Sequence, residues 1–386
     1  MHEIRKPVGL ALVGCNSSLL YVYGAHTFRV LKGGKLVATV DINAERAMCA
    51  HEKLNAQRWC TDFDRAIEDG DVEAVILVTP GWCHEPQTVA AAKAGKHVLC
   101  EKPMARTVEE CDRMMAACEQ SGVTLMIAHM KRFNPAFRRV HDMIRNGDLG
   151  EVFAVRGLWD EPARRLGADN TFRSDPRSMG GHWHDHGAHM SDLSCWWLGS
   201  PVTKVNGVIR SVGEEMISGE DFCIATLVHE NGAASCHQTT TYTYRAWHET
   251  YEVMGRRGTL VIHARRHTSL SYEPPVIQLY DQTVGHFNER ATDVTPYLGF
   301  DVDADTQAAN QYLQQLEHFC HCVRTGETPL VTGRDGRHGV EVINATYRSH
   351  FRRGWVELPL RDTSELPKLF EAYRREQEEK RRRTDL

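Results

Sequence analysis

Through the first third of the chain, short apolar runs alternate with stretches in which apolar residues recur every three or four positions. Residues 8–13, 36–41, 74–79, 97–100 and 124–128 are rich in Val, Ile and Leu and read as buried strands. Residues 44–54, 88–94 and 108–121 carry helical spacing. This alternation predicts β-α-β units around a parallel sheet, and ligands on such sheets gather at the carboxyl ends of the strands. After Asn134-Pro135 the period changes. One helix to about residue 146 and a Gly-Asp-Leu-Gly turn lead into polar–apolar alternation over 151–159, 202–210, 222–229, 234–243, 250–254, 260–264 and 276–280. That pattern predicts antiparallel strands in a second domain. Helical patterns over 304–324 and 333–352 follow.

The expected fold class is therefore α/β, a doubly wound parallel sheet followed by a second α/β domain. The boundary is placed at 1–130 and 131–386, with the last helices as candidates to return to the first domain. A length of 386 residues fits two or three domains at ~150 residues each. With 41% hydrophobic and 25% charged residues, disordered and fibrous classes are excluded.

A net charge of −5 and the lack of a basic block in the body of the chain argue against a nucleic-acid partner. The run Lys380-Arg381-Arg382-Arg383 lies beside Glu376, Glu378 and Glu379 and reads as a solvated helix end. No apolar stretch approaches the ~20 residues of a membrane span, and the N-terminus lacks a signal-peptide pattern. The 12 cysteines form no C-x-x-C pair, as expected of reduced thiols in a cytoplasmic enzyme. Cys320-His321-Cys322 is too compact for a complete zinc site and reads as part of a helix.

Candidate chemistry begins at the first turn, Val13-Gly14-Cys15-Asn16, between a strand and an expected helix. A dinucleotide fingerprint belongs there, and Gly14 occupies its first glycine. Asn16 stands where the second glycine lets the backbone approach a pyrophosphate, so the turn is altered. Asp41 ends the second strand. A carboxylate there accepts hydrogen bonds from an adenosine ribose diol and repels a 2′-phosphate, which predicts NAD over NADP, with Arg46 one turn later as a moderating charge. Capping of the following helix is compatible with the same carboxylate.

The run from Ala90 through Gly95-Lys96-His97-Val98-Leu99-Cys100-Glu101-Lys102-Pro103-Met104-Ala105 resembles the Gfo/Idh/MocA oxidoreductases. The resemblance extends through Thr79-Pro80, His84, Arg132-Phe133-Asn134-Pro135 and Gly147-Asp148-Leu149-Gly150-Glu151. It continues at Gly180-Gly181, Asp185, Gly187, His189, Asp192, Trp197-Leu198-Gly199 and Asp335-Gly336. It implies an N-terminal Rossmann domain and a C-terminal α/β domain whose open, mostly antiparallel sheet carries the substrate face and often an oligomer interface, so a homodimer or homotetramer is expected. It implies oxidation or reduction of a secondary alcohol on a sugar, glycoside or cyclitol. The family's E-K-P lysine maps onto Lys102 and its D-x-x-x-H pair onto Asp185 and His189. Thr79, Pro80, His84, Glu101, Lys102 and Arg132 join Gly14, Cys15, Asn16 and Asp41 as expected cofactor contacts.

Hydride transfer from a carbinol needs a base at the hydroxyl, and His189 is the candidate. Asp185, four residues earlier, falls on the same helical face and can orient the imidazole. The Lys102 ammonium would stabilise a developing alkoxide. Further substrate candidates are His129, Trp159, Arg173, His182, His186 and Tyr244, as groups offering imidazoles, a guanidinium or ring faces to a polyol; Arg164 and Arg165 read as a solvated loop. In an α-helix, His182, Asp185, His186 and His189 share one face, so His182, His186 and His189 are also an alternative metal set. Two other function classes stand beside the dehydrogenase. One is a glycosidase or lyase that retains NAD and works by transient oxidation and elimination, with metal assistance as a variant. The other is a binding protein with a degenerate nucleotide fold.

Overall fold

The computed structural model describes residues 6–16, 23, 27–162, 175–213, 219–244, 247–268, 271–272, 275–281, 291–295 and 304–384. The chain divides into two compact units, residues 1–134 with 305–337, and residues 135–304 with 338–386.

In the first unit six strands run parallel: β1 (Val8–Val13), β2 (Gly34–Val40), β3 (Arg58–Cys60), β4 (Ala74–Leu77), β5 (His97–Glu101) and β6 (Leu125–Ala128). Their order is β3-β2-β1-β4-β5-β6, which reverses direction between β1 and β4 and opens a ligand crevice at the carboxyl ends of those strands. Every residue of β1 and β4 is buried, which is why these strands read as unbroken apolar runs. The helices are α1 (Ala44–Leu54), α2 (Phe63–Glu68), α3 (Gly81–Lys93) and α4 (Val108–Ser121). Local chemistry sets their ends. The Asn43 side chain accepts the Arg46 N–H at the start of α1, and Asn55 ends it in the left-handed region; Thr107 and Gly122 do the same for α4. The edge strand β3 is absent from the sequence reading, because Arg58-Trp59-Cys60 has no apolar run and becomes a strand only by pairing with Ala38–Val40 of β2.

The second unit contains α5 (Pro135–Arg145), β7 (Val152–Asp160), a π-helical turn at Trp183–Gly187, and α6 (Ala188–Leu198). Strands β8 (Val202–Arg210), β9 (Phe222–His229), β10 (Ala234–Thr240), β11 (His248–Gly255), β12 (Gly258–Thr268), β13 (Ser271–Tyr272), β14 (Val276–Asp281) and β15 (Thr292–Asp293) follow. With a late strand β16 (Val356–Glu357), the sheet order is β15-β14-β12-β11-β7-β10-β9-β8-β16. β7 and β10 pair parallel and the other neighbours antiparallel, so the sheet is mixed but mostly antiparallel. One face supplies Val155, Ala225, Tyr251 and Ile262 to a core shared with Phe137, Met190, Trp197, Tyr347 and Phe370, while Phe153, Val208 and Ile224 remain exposed.

Three long helices close the chain: α7 (Ala304–Thr325), α8 (Gly333–Arg352) and α9 (Leu366–Thr384). α7 from residue 305 onward belongs to the first unit, where the Arg324 guanidinium ion-pairs with Glu73 at 2.7 Å. Close packing explains the return: a Cβ on Gly33 or Gly34 would lie 2.9 Å or less from Cys320 Cβ, Cys320 Sγ or the Glu317 carboxylate. Cys320 and Cys322 are buried thiols on this helix, and all twelve cysteines are free. The basic run lies on α9, where Lys380 pairs with Glu376 at 2.6 Å. No helix among the described residues is long and apolar enough to cross a membrane.

Candidate active site

At the carboxyl end of β1, Gly14 adopts φ +94°, and a Cβ there would sit 3.0 Å from the Val78 and Thr79 backbone. Only glycine makes this turn without strain. The next amide, Cys15 N–H, donates to Asp41 Oδ2 at 2.7 Å, and Asn43 N–H donates to Asp41 Oδ1 at 2.9 Å. Asp41 therefore ties the first turn to the end of β2, while Asn43 takes the helix-capping role. A carboxylate offers about four acceptor sites, so two remain for hydroxyls. The Cys15 thiol is buried beside this carboxylate, and both effects push it up to about 12, so it stays protonated and unreactive. Asn16 is half-buried and continues the turn.

The other expected cofactor residues gather near β4 and β5. His84 Nε2 lies 2.7 Å from Thr79 O, and its Nδ1 lies 3.1 Å from Pro103 O and 3.3 Å from Met104 O. The ring thus clamps the Thr79-Pro80 turn to the segment carrying Lys102, whose bond to Pro103 is cis. Burial pushes the His84 pKa below its ordinary value. Glu101 accepts from Tyr23 Oη at 2.9 Å and from Lys102 N–H at 3.1 Å. Arg132 is engaged inside the unit, donating to Leu330 O at 3.2 Å and to Asp335 Oδ1 at 3.1 Å. Burial would raise the Asp335 carboxyl, but Arg132 and the Thr332 hydroxyl and amide outweigh it and hold it low. His129 is buried where the chain leaves β6.

In the second unit the histidine run is entirely buried: His182, Asp185, His186 and His189 are each under a tenth exposed. The helix does not begin as an α-helix. Residues Trp183–Gly187 form a π turn and α6 starts at Ala188, so the expected single α-helical face through His189 is interrupted. Long-range contacts explain this. Buried Glu220 accepts the Gly181 and Trp183 amides at 2.9 and 2.7 Å and the Tyr347 hydroxyl at 3.1 Å. Gly181 has no room for a side chain, since a Cβ would lie 1.8 Å from Glu220 O, and Gly187 lies under the Trp183 ring. Burial pushes the Glu220 carboxyl up to about 7 against these three donors. A π turn held in this way is a frequent mark of a functional segment.

Trp159 lies among these imidazoles, with ring centroids 4.3 Å from His186 and 5.7 Å from His189. Trp247 completes the aromatic wall, 5.4 Å from Trp159 and 6.1 Å from His186. Tyr244, expected to serve this surface, is 87% exposed and meets Tyr242 instead. The sequence reading missed Trp247 and also Glu161, whose carboxylate faces His186 at 3.2 Å. No local signal marks Glu161, because it meets the histidines only through the fold. Arg173, Arg164 and Arg165 lie outside the described residues.

The turn at Gly14, the free acceptor sites of Asp41 and the strand order fit a bound dinucleotide. Residues 8–129 match the oxidoreductase family's NAD-binding Rossmann fold, and residues 141–358 match its C-terminal alpha/beta domain. The chain belongs to the Gfo/Idh/MocA oxidoreductase family. Among similar Gfo/Idh/MocA proteins, the scyllo-inositol 2-dehydrogenase (NAD(+)) of Bacillus subtilis (strain 168) is 27% identical over 357 residues, 92% of this chain and 95% of its own. The D-apiose dehydrogenase of Paraburkholderia graminis is 28% identical, covering 90% of this chain and 89% of its own. The crystal structure of aldose-aldose oxidoreductase from Caulobacter crescentus complexed with glycerol superposes with a TM-score of 0.78 at 27% identity, over 92% of this chain and 100% of that one.

Proposed function

We propose that this Gfo/Idh/MocA protein is an NAD-dependent dehydrogenase acting on a secondary hydroxyl of a sugar, glycoside or cyclitol. The observation that carries the reading is the buried Asp185–His189 turn under Trp159: imidazoles and a carboxylate suit hydroxyl edges, and an indole face suits the C–H face of a ring. The names of the inositol and apiose dehydrogenases among its relatives support the same substrate class.

A dinucleotide held at the Gly14 turn and Asp41 would supply a nicotinamide as the hydride acceptor for the carbinol carbon. His189 accepts the hydroxyl proton as general base. Asp185 holds the imidazole orientation and is a positioning residue. Lys102, at the carboxyl end of β5, stabilises negative charge on the oxygen. Gly14, Cys15 and Asn16 line the pyrophosphate side, and Asp41 receives the adenosine ribose hydroxyls. Its charge disfavours a 2′-phosphate, which selects NAD over NADP.

The test is reduced-nicotinamide absorbance with purified protein, added NAD and a panel of inositols, free sugars and glycosides. Steady growth of absorbance with at least one polyol is expected. Consumption of a glycoside without any growth would refute a freely exchanging dehydrogenase and point to elimination with retained cofactor.

A further inference from the structure

Where the chain leaves β7, the Glu161 backbone N–H donates to Thr240 O at 2.8 Å, which fixes the residue beside the π turn. One oxygen, Glu161 Oε2, then lies 3.2 Å from His186 Nε2 and 3.7 Å from His182 Nε2. The two imidazole centroids are 4.1 Å apart, all three side chains are buried, and one ligand atom from each falls within 4.8 Å of the others. His186 presents its second nitrogen, Nδ1, to Asp185 Oδ2 at 3.7 Å.

A divalent cation accepts both rings as neutral ligands and the carboxylate as the third. Metal–ligand bonds of about 2.0–2.2 Å at tetrahedral angles put ligand atoms about 3.3–3.5 Å apart, and the two carboxylate–imidazole separations, 3.2 and 3.7 Å, bracket that edge. Two imidazoles and one carboxylate favour a first-row transition ion such as Zn(II) over Mg(II) or Ca(II), which take oxygen ligands.

We propose that Glu161, His182 and His186 form a binding site for a divalent transition-metal ion of zinc's class. Among the described residues no fourth His, Cys, Asp or Glu joins the set, and His189, part of the α-helical alternative, is not in it. Three protein ligands leave a coordination position for an exogenous oxygen. Resting on the polyol reading above, that oxygen is a substrate hydroxyl next to the carbon that reacts.

The test uses the full chain without NAD or substrate. Protein stripped with a chelator is equilibrated with Zn(II) or Co(II), desalted and assayed for metal, and the Co(II) form is examined by visible absorption. About one ion per chain and the d–d bands of a low-coordinate nitrogen–oxygen site are expected. Glu161→Gln and His186→Gln should each weaken binding more than about 100-fold. His321→Gln, at the exposed His321–Glu327 pair, should leave stoichiometry unchanged. Wild-type protein that holds no ion after equilibration overturns the proposal, whatever the variants do. So does full binding by folded Glu161→Gln and His186→Gln. Metal binding without turnover of any polyol would sink the dehydrogenase reading and leave the metal site standing. The hydroxyl role fails separately if stripping leaves the polyol KM unchanged.

Discussion

Replacing Asp41 by Ala tests the cofactor assignment most directly, because this carboxylate has two separable jobs. It accepts the Cys15 and Asn43 amides at 2.7 and 2.9 Å, and its remaining acceptor sites are proposed to hold the ribose diol. Cys15 is buried, so Ala leaves its N–H without that acceptor, a cost of about 1–3 kcal/mol that loosens the turn. Loss of the charge-assisted ribose bonds adds about 1.5–3 kcal/mol in the complex. These losses overlap, because a loosened turn already binds less well, and a combined effect of about 2–3 kcal/mol on NAD affinity is expected. That is about 30- to 150-fold in Kd. Asp41→Asn retains one oxygen for Cys15 N–H and removes the charge, so it should keep most of the stability, lose less NAD affinity and relax the discrimination against NADP. The assay is calorimetric titration with NAD, ADP-ribose and nicotinamide mononucleotide, beside thermal denaturation of each variant. Both variants should lose affinity for NAD and ADP-ribose and keep that for the mononucleotide. An NAD Kd within twofold of wild type in Asp41→Ala would falsify the ribose assignment.

His189→Ala should lower kcat about 10²- to 10⁴-fold while the NAD Kd stays near wild type, and equal losses in both would remove His189 from the role of base. Gly181→Ala should cost more than about 4 kcal/mol in urea denaturation, because its Cβ would meet Glu220 O at 1.8 Å. Gly339→Ala on α8, with nothing within 4 Å, should be neutral or stabilise by about 0.5–1 kcal/mol, and similar midpoints for the two would contradict the close approach. The Arg324 hydrogen bonds, helped by the Gly9 amide and opposed by burial, pull the Glu73 carboxyl from its ordinary 4.5 down to about 2. Its stabilisation is therefore complete above pH 4.5 and lost as pH falls toward about 2. Glu73→Gln should cost about 1–2 kcal/mol near neutrality, after allowance for solvent screening of this partly exposed pair, and the difference from wild type should vanish near pH 2. A difference constant across that range would show that the ion pair contributes nothing.

The elements legible in the sequence are those whose information is local. Ala44–Leu54 and Val108–Ser121 form over the expected residues because spacing, Asn43 or Thr107 before them and Asn55 or Gly122 after them all agree. Val202–Arg210 and Phe222–His229 likewise follow from two-residue alternation against one buried face. Asp41, Lys102, Asp185 and His189 stand out as candidates because strand ends and a matched family motif single them out. The edge strand at Arg58–Cys60 does not, since its warrant is the neighbouring strand and not its own side chains.

Sequence by itself determined the two-part α/β architecture, the family, and a histidine-rich turn in the second unit. Tertiary structure alone decided what that turn is. Glu220, nearly forty residues beyond Gly181, captures its amides and holds a π turn where the local pattern reads as an α-helix. Glu161, at the end of a strand more than twenty residues earlier, supplies the carboxylate that the two imidazoles share. Arg132 is likewise committed by Asp335, two hundred residues away. Periodicity reports which residues are buried, through the free energy of removing apolar surface from water. It carries no record of which buried polar groups meet, because that depends on how distant segments are packed side by side.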